Sequence, residues 1–151
     1  MDETYIKVSG QWKYLYRAVD HDGNTVDFLL TAKRDLAAAR RFLERSINLH
    51  DVPEEITIDK SGANTAAIES AKADACVDIV MRQNKYLNNI IEQDHRAIKR
   101  ITRPMLGFKS FWSARILIAG IEIMHMIRKE QMDCPAGQPM SAAQQFYSLA
   151  V

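Results

Sequence analysis

At 151 residues, 47% hydrophobic and 26% charged, the sequence is one domain's worth of ordinary globular chain, enough to bury roughly two thirds of its unfolded surface. A formal net charge of +1 is too close to zero to mark a nucleic-acid binder by itself. The longest apolar run, 116–127, is interrupted by Glu122 and His125 and falls short of the roughly 20 residues that span a bilayer, which excludes a membrane helix there.

The first third reads as strand. Thr4-Tyr5-Ile6-Lys7-Val8 alternates into Ser9-Gly10, and Trp12-Lys13-Tyr14-Leu15-Tyr16-Arg17-Ala18-Val19 follows at once, so the two runs form a hairpin about Ser9-Gly10-Gln11. Trp12, Tyr14 and Tyr16 alternate along the second run and read as core and hairpin pairs rather than as base-stacking residues. The turn formers of Asp20-His21-Asp22-Gly23-Asn24 then lead to a third antiparallel strand, Thr25-Val26-Asp27-Phe28-Leu29-Leu30. From Asp35 the period becomes helical, with Leu36, Ala39, Phe42, Leu43 and Ile47 on one stripe that can cover this meander.

Pro53 restarts the chain. Ile56-Thr57-Ile58 is a short β-branched run ending at Asp59, and its expected mate is Val77-Asp78-Ile79-Val80-Met81, with an alanine-rich helix through 66–73 between them. Strand, helix and strand at this length imply a right-handed parallel crossover, hence a mixed sheet of three antiparallel strands followed by two parallel ones. Two helices complete the chain, over about 88–102 and 111–131. The apolar 116–127 stretch, with Met124 and Met126, belongs to the core or to a dimer face. Cys76 and Cys134 have no C-x-x-C partner, the four histidines show no zinc-ligand spacing, and no signal peptide opens the chain. Two free thiols fit a reducing cytoplasm.

Charge is unevenly spread along this order. Residues 1–81 hold 10 Lys/Arg and 14 Asp/Glu, whereas 82–129 hold 10 and 3, so a −4 half precedes a +7 segment and a basic partner surface is expected in the second. Three separated acids, Asp2 and Asp59 at strand ends and Glu92 on a helix, are the pattern by which a fold gathers carboxylates at one point. Such a group can hold two magnesium ions roughly 3.5–4 Å apart, which would stabilise the attacking and leaving oxygens of an in-line phosphoryl transfer on a nucleic-acid phosphodiester. Glu92, Arg96, Lys99 and Arg103 recur at i, i+4, i+7 and i+11, one helix face, and so place the third acid at the head of a basic stripe suited to phosphates. The plainer reading of that face is a solvated surface with a Glu92–Arg96 pair. His95, beyond Glu92, orients a ligand or packs, packing being the commoner role.

Longer stretches carry a family resemblance. Met-Asp-Glu-Thr-Tyr-Ile-Lys-Val-Ser-Gly-Gln-Trp-Lys-Tyr-Leu-Tyr-Arg-Ala-Val-Asp at the start, Thr-Val-Asp-Phe in the third strand, Lys85-Tyr86-Leu87-Asn88-Asn89-Ile90-Ile91-Glu92-Gln93-Asp94-His95, and Leu106-Gly107-Phe108-Lys109-Ser110 resemble the catalytic domain of DDE transposases of the insertion-sequence-six family. That family is similar in its core to retroviral integrases. The resemblance runs to about Gln131 and implies an RNase H-like α/β fold over 1–131, its five-stranded mixed sheet flanked by helices, with 132–151 an unassigned tail. It further implies that Asp2, Asp59 and Glu92 are catalytic and bind two Mg2+ (or Mn2+) ions, cleaving and joining DNA at the ends of an insertion sequence.

Lys99 occupies the basic position associated with terminal DNA, and Lys85, Arg96, Arg103 and Lys109 are the expected phosphate contacts. Ile101 stands where a basic residue is expected. The implied partners are transposon-end and target DNA and a second copy of the chain, in a bacterial cytoplasm and on the nucleoid when DNA is bound. The sequence opens one residue before Asp2, so the family's N-terminal helix-turn-helix region is expected to be absent. Two other readings stay open on that account: a catalytically silent remnant that binds DNA or an intact transposase, and another RNase H-like nuclease.

Overall fold

The computed structural model describes residues 1–59, 62–75, 78–84, 89–132 and 140–149. The strands β1 (Asp2–Val8), β2 (Gln11–Val19) and β3 (Thr25–Thr31) form the antiparallel meander expected from their alternation. Ser9 and Gly10 both take left-handed backbone (φ 49° and 76°), the two-residue turn whose twist matches the flanking strands. It sets the register Val8↔Gln11, Tyr5↔Tyr14 and Asp2↔Arg17. Helix α1 (Leu36–His50) follows, capped where the Asp35 carboxylate accepts the Ala38 N–H at 2.9 Å.

Next come β4 (Glu55–Ile58), α2 (Gly62–Ala75) and β5 (Val80–Gln83), a parallel crossover with Glu55 opposite Val80. β5 starts three residues later than its β-branched run suggests, and Ile79, fully buried, ends the crossover before the ladder begins. Cys76 and Val77 lie outside the described residues. Among the described residues the strands thus make two ladders, β1-β2-β3 and β4-β5. The Met1 nitrogen links them, donating to the Thr57 carbonyl at 2.8 Å.

Alternation sorts the meander's side chains into two layers. On one face Tyr14, Tyr16, Ala18 and Leu29 pack with Ala38, Ala39, Phe42 and Leu43 of α1 and with Ile56, Ile58, Ala67, Ile68 and Ile79 of the crossover unit. On the other, Ile6, Val8, Leu15 and Leu30 meet Ile98 of α3 (Asn89–Thr102) and Ala114 and Ile118 of α4 (Phe111–Arg128). Helices therefore cover both faces.

Between α3 and α4, a 3-10 turn (Arg103–Met105) leads into the Leu-Gly-Phe-Lys-Ser motif, which locks onto the hairpin: Ser9 N–H donates to Phe108 O (2.7 Å) and Phe108 N–H to Lys7 O (2.8 Å). Gly107 is required at this approach. Its φ is +109°, and a Cβ there would stand 3.1 Å from the Lys7 carbonyl. Helix α4 stops at Arg128 rather than at Gln131, because Gln131 turns back to the start of β3 and pairs with both backbone groups of Thr25, at 2.9 and 3.0 Å. The tail contains a short helix, α5 (Ala142–Ser148), closed by a Ser141–Gln144 capping box and packed on α4. Among the described residues no helix is long and apolar enough to cross a membrane.

Candidate active site

Carboxylate oxygens of Asp2, Glu3 and Asp59 lie within 4.8 Å of one another. Asp2 opens β1 and Asp59 follows the last residue of β4, so the Met1–Thr57 hydrogen bond that aligns the two strands also brings the acids together. Neighbouring strand residues face opposite ways. Glu3 accordingly points toward α2, where Asn64 Nδ2 donates to its Oε2 at 2.8 Å and Arg34 ion-pairs with Oε1. Both of its oxygens are engaged, so Glu3 braces the group more than it offers ligands. Asp2 faces α3, with Oδ1 accepting the Glu3 N–H at 2.9 Å.

Glu92 stands outside this close group, exposed in the first turn of α3 where the helix dipole favours an acid. One turn further on, His95 places Nδ1 3.8 Å from Asp2 Oδ2, and Lys99 follows on the same edge, close enough to feel the Asp2 charge. Glu92, His95 and Lys99 thus line the edge of α3 that turns toward Asp2. The structure brings Asp2 and Asp59 together and leaves Glu92 outside their group, exposed on α3 one turn before His95. Of the basic stripe, Arg96, Arg103 and Lys109 are exposed and Lys99 is half-buried; Lys85 lies outside the described residues. That face is exposed at Glu92, Arg96 and Arg103, as the plainer reading expects, although no ion pair joins Glu92 to Arg96 among the described residues. Ile101 is exposed.

Burial and then the charge of Asp59 push the Asp2 carboxyl up to about 6. Burial, followed by Arg17 and Lys99, lowers the His95 imidazole to about 3, so His95 is neutral at physiological pH and its contact with Asp2 is not an ion pair. Lys99 is lowered by burial and by Arg103, with Asp2 opposing. The Asp2 shift has a measurable consequence. Between the unfolded value of 3.8 and about 6 the folded chain holds more protons on Asp2 than the unfolded chain does. Stability contributed by this group therefore falls as pH rises through that window and is flat above it, a loss of about 3 kcal/mol at most. Urea denaturation in EDTA at pH 4.5 and 7.5 reads this as the difference between wild type and Asp2→Asn, because the Met1 ammonium titrates in both. Equal pH dependence in the two proteins would mean that folding does not raise the Asp2 carboxyl.

Behind the acids lies a buried ion network that the sequence reading missed. Arg17, opposite Asp2 in the ladder and fully buried, donates from Nε to Glu122 Oε1 (2.7 Å) and from Nη2 to Glu122 Oε2 (2.9 Å), and it ion-pairs with Asp94. His125 Nε2 lies 2.8 Å from Asp94 Oδ1, which Lys129 also contacts. Burial alone would raise the Asp94 carboxyl. The hydrogen bond to His125, the Arg17 charge and Lys129 outweigh it and hold the group well below the usual carboxylate range. With Asp94 fixed inward, the rotational phase of α3 is fixed too, and Glu92, two residues away, turns out toward the basic stripe. The available signals were single charges inside apolar runs: Arg17 in β2, Glu122 in α4. Glu3 had only its place beside Asp2.

The chain is similar to known proteins over most of its length. The model of a DDE domain, of the IS240 transposase type, matches residues 1–131. The transposase for the insertion sequence-like element IS431mec of Staphylococcus aureus (strain Mu50) is 39% identical over 132 residues, covering 86% of this chain and 57% of that protein. The transposase for insertion sequence element IS257 in transposon Tn4003, also from Staphylococcus aureus, matches with the same figures. The chain thus spans just over half the length of these curated relatives. Among solved structures, a chain of the simian T-cell lymphotropic virus intasome in complex with PP2A regulatory subunit B56 gamma aligns over 98% of this chain and 45% of its own length. Its TM-score is 0.55 at 14% identity, a likeness of fold that makes this an integrase-like α/β domain. On the match across 1–131, the chain belongs to the DDE-domain family of insertion-sequence transposases.

Proposed function

We propose that residues 1–131 are the catalytic core of a transposase that cleaves DNA at insertion-sequence ends and joins it to target DNA, with Asp2, Asp59 and Glu92 as its metal ligands. The observation that carries this is the close approach of Asp2 and Asp59 in a chain of this family. A carboxylate raised by burial and then by the charge of its neighbour fits a cation, and an all-oxygen donor set suits Mg2+ or Mn2+. Glu92 completes the set from α3, and two ions are the expected number. The link from Met1 to Thr57 supports joining the two ladders into one five-stranded RNase H-like sheet.

When bound, such ions lower the pKa of the attacking water or 3′-hydroxyl and offset charge building on the scissile phosphate. The chain's own residues do the rest. Arg34 and Asn64 hold Glu3, and with it the start of β1, in place. Arg17 and Asp94 set the phase of α3. Lys99, Arg96, Arg103, Lys109 and Lys85 position phosphates without reading sequence. Transposon-end and target DNA are the substrates, and a second copy of the chain completes the assembly, since two ends must be joined.

A DNA-binding chain without catalysis is the second reading, favoured by one observation, that Glu92 stands outside the close group. The test is cleavage and joining of a labelled duplex that ends in the terminal inverted repeat of an IS240-type element, with Mg2+ or Mn2+. Joined product from this chain supports the catalytic core. DNA bound with no product at any metal concentration supports the second reading.

A further inference from the structure

On the α1 face of the β1–β2 hairpin, beyond the end of that helix, the rings of Tyr5 and Trp12 are largely exposed, and Tyr14 beside them is half-buried against the core. Tyr5 is 47% exposed and Trp12 59%, against full burial for Tyr16 two residues further along β2. The register puts Tyr5 opposite Tyr14 and Lys7 opposite Trp12, all on one face. The Tyr5 and Trp12 rings meet edge to face at 6.3 Å, and Tyr5 and Tyr14 at 5.5 Å. Pairing within the hairpin therefore accounts for their edges and leaves ring surface to solvent. Trp12 makes a hairpin pair with Tyr5, as its alternation predicts, but it lies outside the core, which takes in Tyr16 and Tyr14 and stops short of it.

The charges around this patch are positive. Lys7 shares the face, and Lys33 and Arg34 border it, all three exposed. Of the acids nearby, Glu3 is buried and paired with Arg34, Asp35 caps α1, and Asp59 belongs to the acid group. Arg34 also bridges two surfaces: one terminal nitrogen meets Glu3 in the acid group, and the other lies 3.4 Å from the Tyr5 hydroxyl. Tyr5 is two strand residues from Glu3, about 7 Å, or two stacked-base spacings of a DNA strand.

We propose that Tyr5 and Trp12, backed by Tyr14, form a stacking platform for unpaired bases of the DNA strand that runs from the scissile phosphate. This rests on the reading of the acid group as a DNA-cleaving centre. Ring faces stack on any base, and flanking cations follow the backbone, so binding is tolerant of sequence and sensitive to salt. An unpaired segment beside the reacting phosphate is what strand joining requires.

The sequence has two tryptophans, Trp12 and Trp112, so Trp112→Phe leaves Trp12 as the sole indole reporter. A 12-residue oligothymidylate titrated into this variant in EDTA should quench Trp12 emission saturably. Tyr5→Ala in the same background should weaken the interaction at least about fivefold, with circular dichroism confirming the fold. If Tyr5→Ala unfolds, the Trp12 titration decides alone. DNA bound by anisotropy with Trp12 emission unchanged overturns the platform and leaves the cleavage reading standing. Absence of any binding overturns the platform, and strand transfer by the wild-type chain is scored separately. A Trp12 signal that follows protein concentration instead of DNA assigns the patch to a second copy of the chain and also overturns it.

Discussion

Asp59→Asn and Glu92→Gln should each lower strand joining by at least about a thousandfold while leaving the fold intact. Both replacements keep the shape of the side chain and remove one charge. Asp59 is half-buried and Glu92 exposed, so neither change opens a cavity in a core. What each removes is one negative charge from the proposed metal site, and groups that act as a unit fail together when one is lost. Glu92→Gln carries the more discriminating half of the experiment. If Glu92 is only a solvated acid on a helix end, its amide variant joins DNA at the wild-type rate, and the triad shrinks to a pair. Initial rates of metal-dependent joining, with circular dichroism of the same preparations, decide this. Retention of activity by Asp59→Asn would remove the acid group from the mechanism altogether.

The largest effect on stability is expected at Arg17. Arg17→Met leaves Asp94 and Glu122 buried without their shared counter-ion and should cost about 3–5 kcal/mol in urea denaturation. Pairing it with Glu122→Leu removes the second uncompensated charge and should restore a good part of that loss, since the two side chains meet through two hydrogen bonds. The double variant keeps Asp94, and with it the contacts of His125 and Lys129. An Arg17→Met variant within about 1 kcal/mol of wild type would mean that the network is dispensable, and the account of how α3 is held in phase would go with it.

Sequence patterns reported on neighbours along the chain far better than on neighbours across it. The alternation of β1 to β3 and, apart from the exposed Leu36, the stripe on α1 came through, because each is a relation among residues a few positions apart. The basic face of α3 came through in the same way, down to the burial of Ile91 and Ile98 behind it. Arg17 and Glu122 are 105 positions apart, and nothing local says that a lone arginine in a strand has its partner on the last long helix. Trp12 shows the converse. Its alternation with Tyr14 and Tyr16 gave the right face, but whether that face is covered depends on where α1 begins, a tertiary fact.

At the site itself, the meeting of Asp2 and Asp59 was legible from the family resemblance together with their places at strand ends. Glu3 was not, because its role depends on Asn64 and Arg34, which reach it from other elements. The offset of β5 and the early stop of α4 have the same origin. Ile79 buries and Gln131 pairs with Thr25 through contacts that no short window of sequence contains.

The central claim, that these three acids hold the metal, is tested most directly by titrating Mn2+ into the pure chain at neutral pH and following its paramagnetic resonance signal. The account expects saturable uptake by the wild-type chain, lost in Asp59→Asn and weakened in Glu92→Gln. Equal uptake by wild type and Asp59→Asn, or none by either, would contradict it.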